Sequence, residues 1–286
     1  MKSYYMGYVD AHTHVWFKET LPKDFFSNDS GYEYTPPSVQ EIIKEMDSVN
    51  IDYIVIIAYP SREIWRTKED FPIAMIKFLK EYGNRFSIVG GIEPNRISLN
   101  EAKDWLERQY EAGVSGFKLH PVHSHVKPNA YREEEGGLKQ LELLYEFAQD
   151  HNLPVVIHTG TSVFLKARNK YADPIFVDDV AVDFPQLKIV LAHMGRPNYV
   201  PTAFQLVRIR RNLYGEISSI PPKKLLEYLP RLEEISYKTI YGSDYGGPGI
   251  KSISYNLREF LSLNISEKAK LDMGSNNPKA LYKPLE

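Results

Sequence analysis

Short runs of apolar residues recur along the chain, separated by longer segments in which polar residues are frequent. Eight of these runs are rich in β-branched residues and almost continuously apolar: 8–12, 54–58, 86–92, 114–120, 154–158, 188–193, 212–217 and 239–244. Strands of a parallel sheet have this pattern when both of its faces are buried. The pattern therefore predicts eight buried, parallel strands.

The segments between the runs carry signals for helices. Residues 38–41 and 98–101 each have a serine followed three positions later by glutamate, which is the pattern of a capping box. Asp173 before Pro174 predicts another helix start, with the proline at the first helical position. Residues 136–151 carry apolar side chains at helical spacing, which predicts a helix packed against the sheet.

Strands that alternate with helices indicate an α/β fold, as either a doubly wound open sheet or a closed barrel. The count of eight favours the barrel. So do the polar residues that end the first, fourth, fifth, sixth and eighth runs, because these ends converge on one mouth only in a barrel. We therefore predict that residues 1–286 form a single (β/α)8 TIM barrel.

The connection after the first strand is longer than the others and rich in aromatic residues. It runs from Val15 to Pro37 and contains Trp16, Phe17, Phe25, Phe26, Tyr32 and Tyr34. Loops of this length are uncommon unless they are functional. We expect a lid or pocket wall here, and the alternative is a packed surface loop without substrate contact.

Composition narrows the possible partners. The net charge of −2 and the lack of long basic runs argue against nucleic acid as a partner. The chain has no cysteine, which excludes disulfides and thiolate metal sites. Residues 1–10 do not resemble a signal peptide, and the longest clean apolar run, 54–58, is too short to span a bilayer. We expect a cytoplasmic protein that acts on a small molecule and does not bind membranes; a homo-oligomer is possible.

Histidines and one aspartate stand at the ends of predicted strands. His12 and His14 are two positions apart, so in an extended chain they point to the same face and can share a metal ion. His158 ends the fifth run, His193 the sixth and Asp244 the eighth. Barrel enzymes keep their catalytic groups at these strand ends. The sequence therefore predicts a metal site at the mouth of the barrel.

The fourth run adds a lysine and another histidine to the predicted mouth. Lys118 and His120 share a face, and we expect His120 to contact the substrate. Burial and a nearby cation both lower the pKa of a lysine, and a neutral amine can take up carbon dioxide to become a carbamate that bridges two metals. The alternative is a protonated Lys118 that pairs with a carboxylate.

Five segments resemble the amidohydrolase superfamily, and more narrowly its amidohydrolase-2 branch of TIM-barrel hydrolases: residues 9–14, 116–121, 154–160, 188–195 and 241–244. The resemblance covers nearly the whole chain and ends in a segment similar to the family's closing helix, at residues 276–282. These motifs are specific for the superfamily and say little about the substrate.

The resemblance implies two alternative metal sites. In the mononuclear pattern, one metal, usually zinc, is held by His12, His14, His158 and Asp244, and His193 acts as a base or substrate contact. In the binuclear pattern, Lys118 is carbamylated and bridges two metals, and His158 and His193 hold the second. The sequence satisfies both patterns.

Imidazole and carboxylate ligands suit zinc, and manganese, iron or nickel remain possible. The favoured function is a metal-dependent hydrolase of an amide, ester or lactone, in which Asp244 moves the proton and His193 assists as a catalytic group. The alternative is a non-oxidative decarboxylase of a small aromatic or unsaturated acid. Lys118 favours hydrolysis, because the branch's decarboxylases do not require this lysine. A non-catalytic barrel is a third hypothesis, weakened by the complete ligand set.

Other residues near the predicted mouth are candidates for substrate contact. Arg62 and Arg196 follow the second and sixth runs and could each grip a substrate carboxylate, although a plain ion pair is an alternative for both. Glu216 and Ser218, at the end of the seventh run, could line the pocket. His123 is expected to be exposed to solvent.

Overall fold

A computed structural model describes residues 7–23, 25 and 33–286 of the chain. Its centre is one eight-stranded sheet in which the strands follow one another in sequence order. The strands are β1 Tyr8–Thr13, β2 Ile51–Ile57, β3 Phe86–Gly90, β4 Gly116–Leu119, β5 Val155–His158, β6 Ile189–Ala192, β7 Leu213–Glu216 and β8 Thr239–Ile240. Each strand pairs in parallel with the next, so the eight predicted parallel strands are confirmed.

Helices follow the strands and cover the outside of the sheet. The α-helices are α1 Val39–Asp47, α2 Phe71–Leu79, α3 Leu99–Ala112, α4 Pro121–Ser124, α5 Lys139–Asp150, α6 Phe176–Asp183, α7 Val200–Ile209, α8 Leu225–Tyr228, α9 Ile253–Leu261, α10 Glu267–Leu271 and α11 Asn277–Leu281. Parallel strands need such crossovers, so the helices bury the outer face of the sheet, while the side chains of the strands themselves fill the inside of the barrel. None of the helices in the described part of the chain combines the length and apolar character needed to span a bilayer.

The barrel closes where the chain leaves β8 and runs beside β1. The N–H of Ala11 donates to the carbonyl of Tyr241 at 3.0 Å, and the N–H of Asp244 donates to the carbonyl of His12 at 2.8 Å. A side chain at Gly242 would place its Cβ 2.7 Å from the Cβ of His12, so glycine permits this close approach. The predicted (β/α)8 barrel is confirmed, and its closure brings Asp244 beside His12.

The helix signals are confirmed at three of the four predicted places. Both capping boxes are present, at the start of α1 and at the start of α3. Helix α5 lies within the predicted segment 136–151 and buries Leu141 and Leu144. In each case local sequence and packing on the sheet favour the same helix.

The predicted start at Asp173 and Pro174 is wrong in position, because α6 begins at Phe176. The carboxylate of Asp173 accepts the N–H of Ile175 at 2.9 Å, and the N–H of Val177 donates to the carbonyl of Pro174 at 2.9 Å. The pair thus forms a tight turn that leads into the helix rather than its first turn.

The described part of the loop after β1 packs as an aromatic cluster beside the barrel mouth. Trp16 lies edge to face with Trp65 and Phe71, and its indole N–H donates to the carbonyl of Ile57 at 3.1 Å. Its ring centroid is 5.5 Å from that of His14. This part of the loop therefore forms a wall next to His14; Phe26 and Tyr32 lie outside the described residues.

Candidate metal centre

Three side chains from opposite ends of the sequence converge at the carboxyl ends of the strands. His12 lies in β1, His193 follows β6 and Asp244 follows β8. One potential ligand atom of each lies within 4.8 Å of those of the others, and all three residues are buried. Imidazole nitrogens and a carboxylate at this spacing are a donor set that suits zinc.

His14 lies at the edge of this cluster. Its Nε2 is 3.4 Å from Oδ1 of Asp244, and Nε2 of His12 is 3.6 Å from the same oxygen. The imidazoles of His12, in β1, and of His14, directly after it, therefore lie near the same carboxylate oxygen, as their spacing of two residues predicts.

The backbone at two members of the cluster adopts an uncommon conformation. His193 has φ of 66° and Asp244 has φ of 62°. Residues other than glycine rarely adopt this left-handed region, and such strain is concentrated at functional sites. Both residues turn the chain sharply where a strand ends, and their side chains thereby reach the cluster.

His158 borders the cluster on the side of β5. Its ring centroid is 4.7 Å from that of His193 and 4.0 Å from that of His120. Its Nε2 lies 3.1 Å from the carbonyl oxygen of Gly160. The structure thus places His158 next to His193 but outside the group formed by His12, His193 and Asp244.

Lys118, in β4, is buried among these residues with 1% of its surface exposed. Its Nζ has no hydrogen-bond partner among the described residues. Burial lowers the pKa of Lys118 to about 8, while the carboxylates of Glu216 and Asp244 act in the opposite direction. A buried amine without a partner is available to a ligand or to covalent modification.

Glu216, the last residue of β7, and Ser218, two positions after it, contact two of the histidines. Oε2 of Glu216 lies 2.5 Å from Nδ1 of His12, and its Oε1 accepts the N–H of Ser218 at 2.6 Å. The hydroxyl of Ser218 is 2.8 Å from Nδ1 of His193. Burial raises the pKa of Glu216 to about 7, an effect opposed by its bonds to Ser218 and by the charge of Lys118.

Asp10, in β1, links the first strand to the segment that follows the last strand. Its Oδ1 accepts the N–H of Ser243 at 2.8 Å and the N–H of His12 at 3.3 Å. Burial raises the pKa of Asp10 to about 7. One carboxylate oxygen thereby fixes the backbone of His12 and of the residue before Asp244.

The imidazoles of the site are disposed to be neutral. Burial lowers the pKa of His12 to about 3, and the charge of Lys118 contributes to this shift. Burial likewise lowers the pKa of His193 well below its usual value. Neutral imidazoles carry a free lone pair, which is the form that binds a metal ion.

His120 is held in a stack of rings on the side of β4. Its ring is parallel to that of His123, with centroids 3.4 Å apart, and Tyr59 lies on the same stack with its centroid 5.2 Å from that of His120. Nδ1 of His120 is buried and has no hydrogen-bond partner among the described residues. His120 therefore keeps one nitrogen available next to the cluster.

The prediction that His123 is exposed is wrong, since 2% of its surface is exposed. The hydroxyl of Tyr59 lies 2.9 Å from Nδ1 of His123, and the hydroxyl of Ser162 lies 3.0 Å from Nε2. The indole of Trp65 donates to the same Tyr59 hydroxyl. Both ring nitrogens of His123 thus have partners, which allow this polar ring to be buried.

Arg62 is bound by carboxylates of the protein. Its guanidinium donates to both oxygens of Glu69 at 2.9 and 2.6 Å and to Glu93 at 2.6 Å. Glu69 and Glu93 are buried, whereas Arg62 is partly exposed. Arg62 therefore forms the ion pair that the sequence left open as the alternative to substrate binding, and few of its N–H groups remain for a substrate.

Arg196 lies close to the cluster, and its guanidinium makes fewer hydrogen bonds to described side chains than that of Arg62 does. One guanidinium nitrogen donates to the hydroxyl of Ser219, while Nε is buried and has no partner among the described residues. Burial lowers the pKa of Arg196, and the carboxylates of Asp244 and Glu216 oppose this shift. Of the two arginines, Arg196 is therefore the one with a donor available at the site.

The residues present fit a bound divalent cation. Nε2 of His12 is buried without a hydrogen-bond partner in the described part of the chain, although it lies between other potential ligands. An unpaired polar atom of this kind is costly in a protein core, and a metal ion would compensate for the cost. The ring nitrogens, the Asp244 carboxylate and the buried lysine together match a catalytic metal site.

The sequence indicates the residues around the site but not those that orient them. Its pattern predicts only that Glu216 and Ser218 line the pocket, and it does not distinguish Asp10, which lies two positions before His12. The available signal was a carboxylate inside or at the end of a buried strand, since such a group needs a partner.

Residues 9–283 match the amidohydrolase family. No protein with a curated description matches this chain in sequence. Solved structures share the fold. An uncharacterised TIM-barrel protein from Bordetella bronchiseptica is 20% identical, with a TM-score of 0.76 over 96% of this chain and 98% of that one.

Two further structures have the same barrel at lower identity. A zinc-bound amidohydrolase from Burkholderia multivorans is 12% identical, with a TM-score of 0.68 over 96% of this chain and 98% of that one. A 2,6-dihydroxybenzoate decarboxylase from Rhizobium is 15% identical, with a TM-score of 0.62 and the same coverage of both chains. At such identities the likeness shows the fold alone, whereas the family match covers nearly all of the sequence. The chain belongs to the amidohydrolase family, in its amidohydrolase-2 branch.

Proposed function

We propose that this protein is a metal-dependent hydrolase that cleaves an amide, ester or lactone bond of a small molecule. The observation that carries the proposal is the group formed by His12, His193 and Asp244, whose potential ligand atoms lie within 4.8 Å of one another at the barrel mouth. Buried Lys118, with no partner among the described residues, adds a group suited to this chemistry.

His12, His193 and Asp244 would hold the metal, with His14 adjacent to the Asp244 oxygen that faces it. Bound zinc would supply a Lewis acid that lowers the pKa of water towards roughly 7. The zinc in the Burkholderia multivorans amidohydrolase supports this choice, although manganese, iron or nickel also suit these ligands.

Asp244 is the group that moves the proton in this proposal. Burial raises its pKa, and His12 and Arg196 oppose that shift. A carboxylate with a raised pKa can accept a proton from the attacking water and return it to the leaving group. His193, as a ligand in this proposal, would act on the reaction through the metal and not through a separate contact with the substrate.

Lys118 and Arg196 would stabilise negative charge on the substrate. The free Nε of Arg196 can donate to a substrate carboxylate, and the free Nδ1 of His120 can make a further hydrogen bond. A protonated Lys118 would stabilise the charge that develops on the carbonyl oxygen. In the alternative form, the neutral amine of Lys118 adds to the carbon of CO2, forms an N–C bond and loses one proton to give a carbamate.

A substrate panel with and without metal tests the proposal. The purified protein, supplied with zinc, is expected to hydrolyse members of a panel of small amides, esters and lactones, and a chelator should abolish the activity. His12→Ala should be inactive yet folded, whereas His151→Ala, which changes a histidine at the end of α5, should remain active.

The same panel should include hydroxybenzoates, with CO2 release measured in parallel. Decarboxylation of these acids without hydrolysis of any amide, ester or lactone would contradict the proposal and support a lyase. Full hydrolytic activity in His12→Ala would contradict the assignment of the metal site.

A further inference from the structure

We propose that Glu216 and Ser218 are positioning residues that orient the imidazoles of His12 and His193 towards the metal. The end of β7 and the residues directly after it contribute no ligand to the group formed by His12, His193 and Asp244, yet they contact both of the histidines. This inference rests on the proposed function, because it concerns the metal of that site.

Glu216 is held rigidly at both of its oxygens. Oε1 accepts the N–H of Ser218 at 2.6 Å, and Oε2 lies 2.5 Å from Nδ1 of His12. The side chain is buried, so water does not compete for these bonds. A carboxylate fixed in this way determines the plane of the ring that it contacts.

The contact also fixes which nitrogen of His12 carries the proton. In its ionised form Glu216 can only accept hydrogen bonds, and that form requires Nδ1 of His12 to carry the proton. Nε2 then bears the lone pair, and this is the atom that lies 3.6 Å from Oδ1 of Asp244 without a hydrogen-bond partner among the described residues. The lone pair of His12 therefore faces the other potential ligands.

Ser218 has the same effect on His193. Its carbonyl oxygen lies 3.2 Å from Nδ1 of His193 and its hydroxyl oxygen lies 2.8 Å from that atom. Because a carbonyl can only accept, Nδ1 of His193 carries a proton and Nε2 is left with the lone pair. Two histidines from distant strands thus receive their orientation from one strand end.

The experiment measures zinc affinity by competition with a chromophoric chelator, for the full chain and four variants. Glu216→Ala should weaken zinc binding by roughly 10- to 100-fold, the usual loss when the hydrogen-bond partner of a metal-bound histidine is removed. Ser218→Ala should cause a smaller loss, because its carbonyl remains, and Ser218→Thr should restore the affinity. Glu93→Gln, which changes a buried carboxylate bound to Arg62, is the control and should bind zinc as the wild type does.

A second measurement observes the wild-type chain itself, and two variants serve only to assign its signals. Long-range 1H–15N NMR of the metal-free protein should show His12 and His193 protonated at Nδ1, with assignments from His12→Asn and His193→Asn. Protonation at Nε2 would overturn the inference. Equal zinc affinity in the wild type and in folded Glu216→Ala would overturn this inference but not the proposed function. A wild type that binds no zinc would overturn both.

Discussion

At the scale of single residues, burial sets the properties of the side chains in the metal centre. It lowers the pKa of His12 to about 3 and that of Lys118 to about 8, and it raises that of Asp10 to about 7. Each shift favours the uncharged form of a group, as desolvation does in any protein core. Because the imidazoles are neutral, their lone pairs are available to a metal ion.

Asp10 provides a prediction at this scale. Asp10→Ala would leave the buried N–H groups of His12 and Ser243 without their acceptor, at a cost of about 1–3 kcal/mol for each donor. Asp10→Asn keeps an oxygen that can accept both bonds and should be less destabilising. Urea unfolding followed by circular dichroism would measure both, and equal stability of Asp10→Ala and the wild type would contradict this role.

The sequence was sufficient to identify the side chains that meet at the mouth, but not their contacts. Histidines and an aspartate at strand ends stand out because strand ends converge in a barrel. The bonds of Glu216 to His12 and of Asp10 to Ser243 join residues more than 200 positions apart. These contacts form only when the barrel closes, so the local sequence pattern does not predict them.

At the scale of elements, predictions succeeded where local preference and packing agree. The apolar runs matched strands because both faces of the sheet are buried. The run 239–244 gives a strand of only two residues, Thr239–Ile240, because the chain beyond it bonds to β1 through single contacts instead of a regular ladder. Tertiary contacts of this kind determine where an element ends.

Helix α5 provides a prediction for the packing of an element. Leu144 is fully buried in the hydrophobic core, so Leu144→Ala should lower the free energy of unfolding by about 2–5 kcal/mol. Glu146 lies on the exposed face of the same helix, and Glu146→Ala should change stability by less than about 0.5 kcal/mol. Chemical denaturation of both variants would test this, and similar losses in the two would contradict the assigned faces.

At the scale of the whole molecule, closure of the barrel is what creates the site. β1 and the residues after β8 come together through the bonds of Ala11 and Asp244, and this contact places Asp244 beside His12. His193 reaches the same point from β6. The aromatic cluster of the loop after β1 lies beside this site, with the ring of Trp16 in contact with that of His14.

The central claim is that these distant residues hold one metal ion in common. A crystal structure of the zinc-loaded protein, with anomalous scattering recorded on both sides of the zinc edge, tests it most directly. We expect zinc density within bonding distance of His12, His193 and Asp244. Zinc bound elsewhere, with these three side chains in contact only with water, would contradict the account.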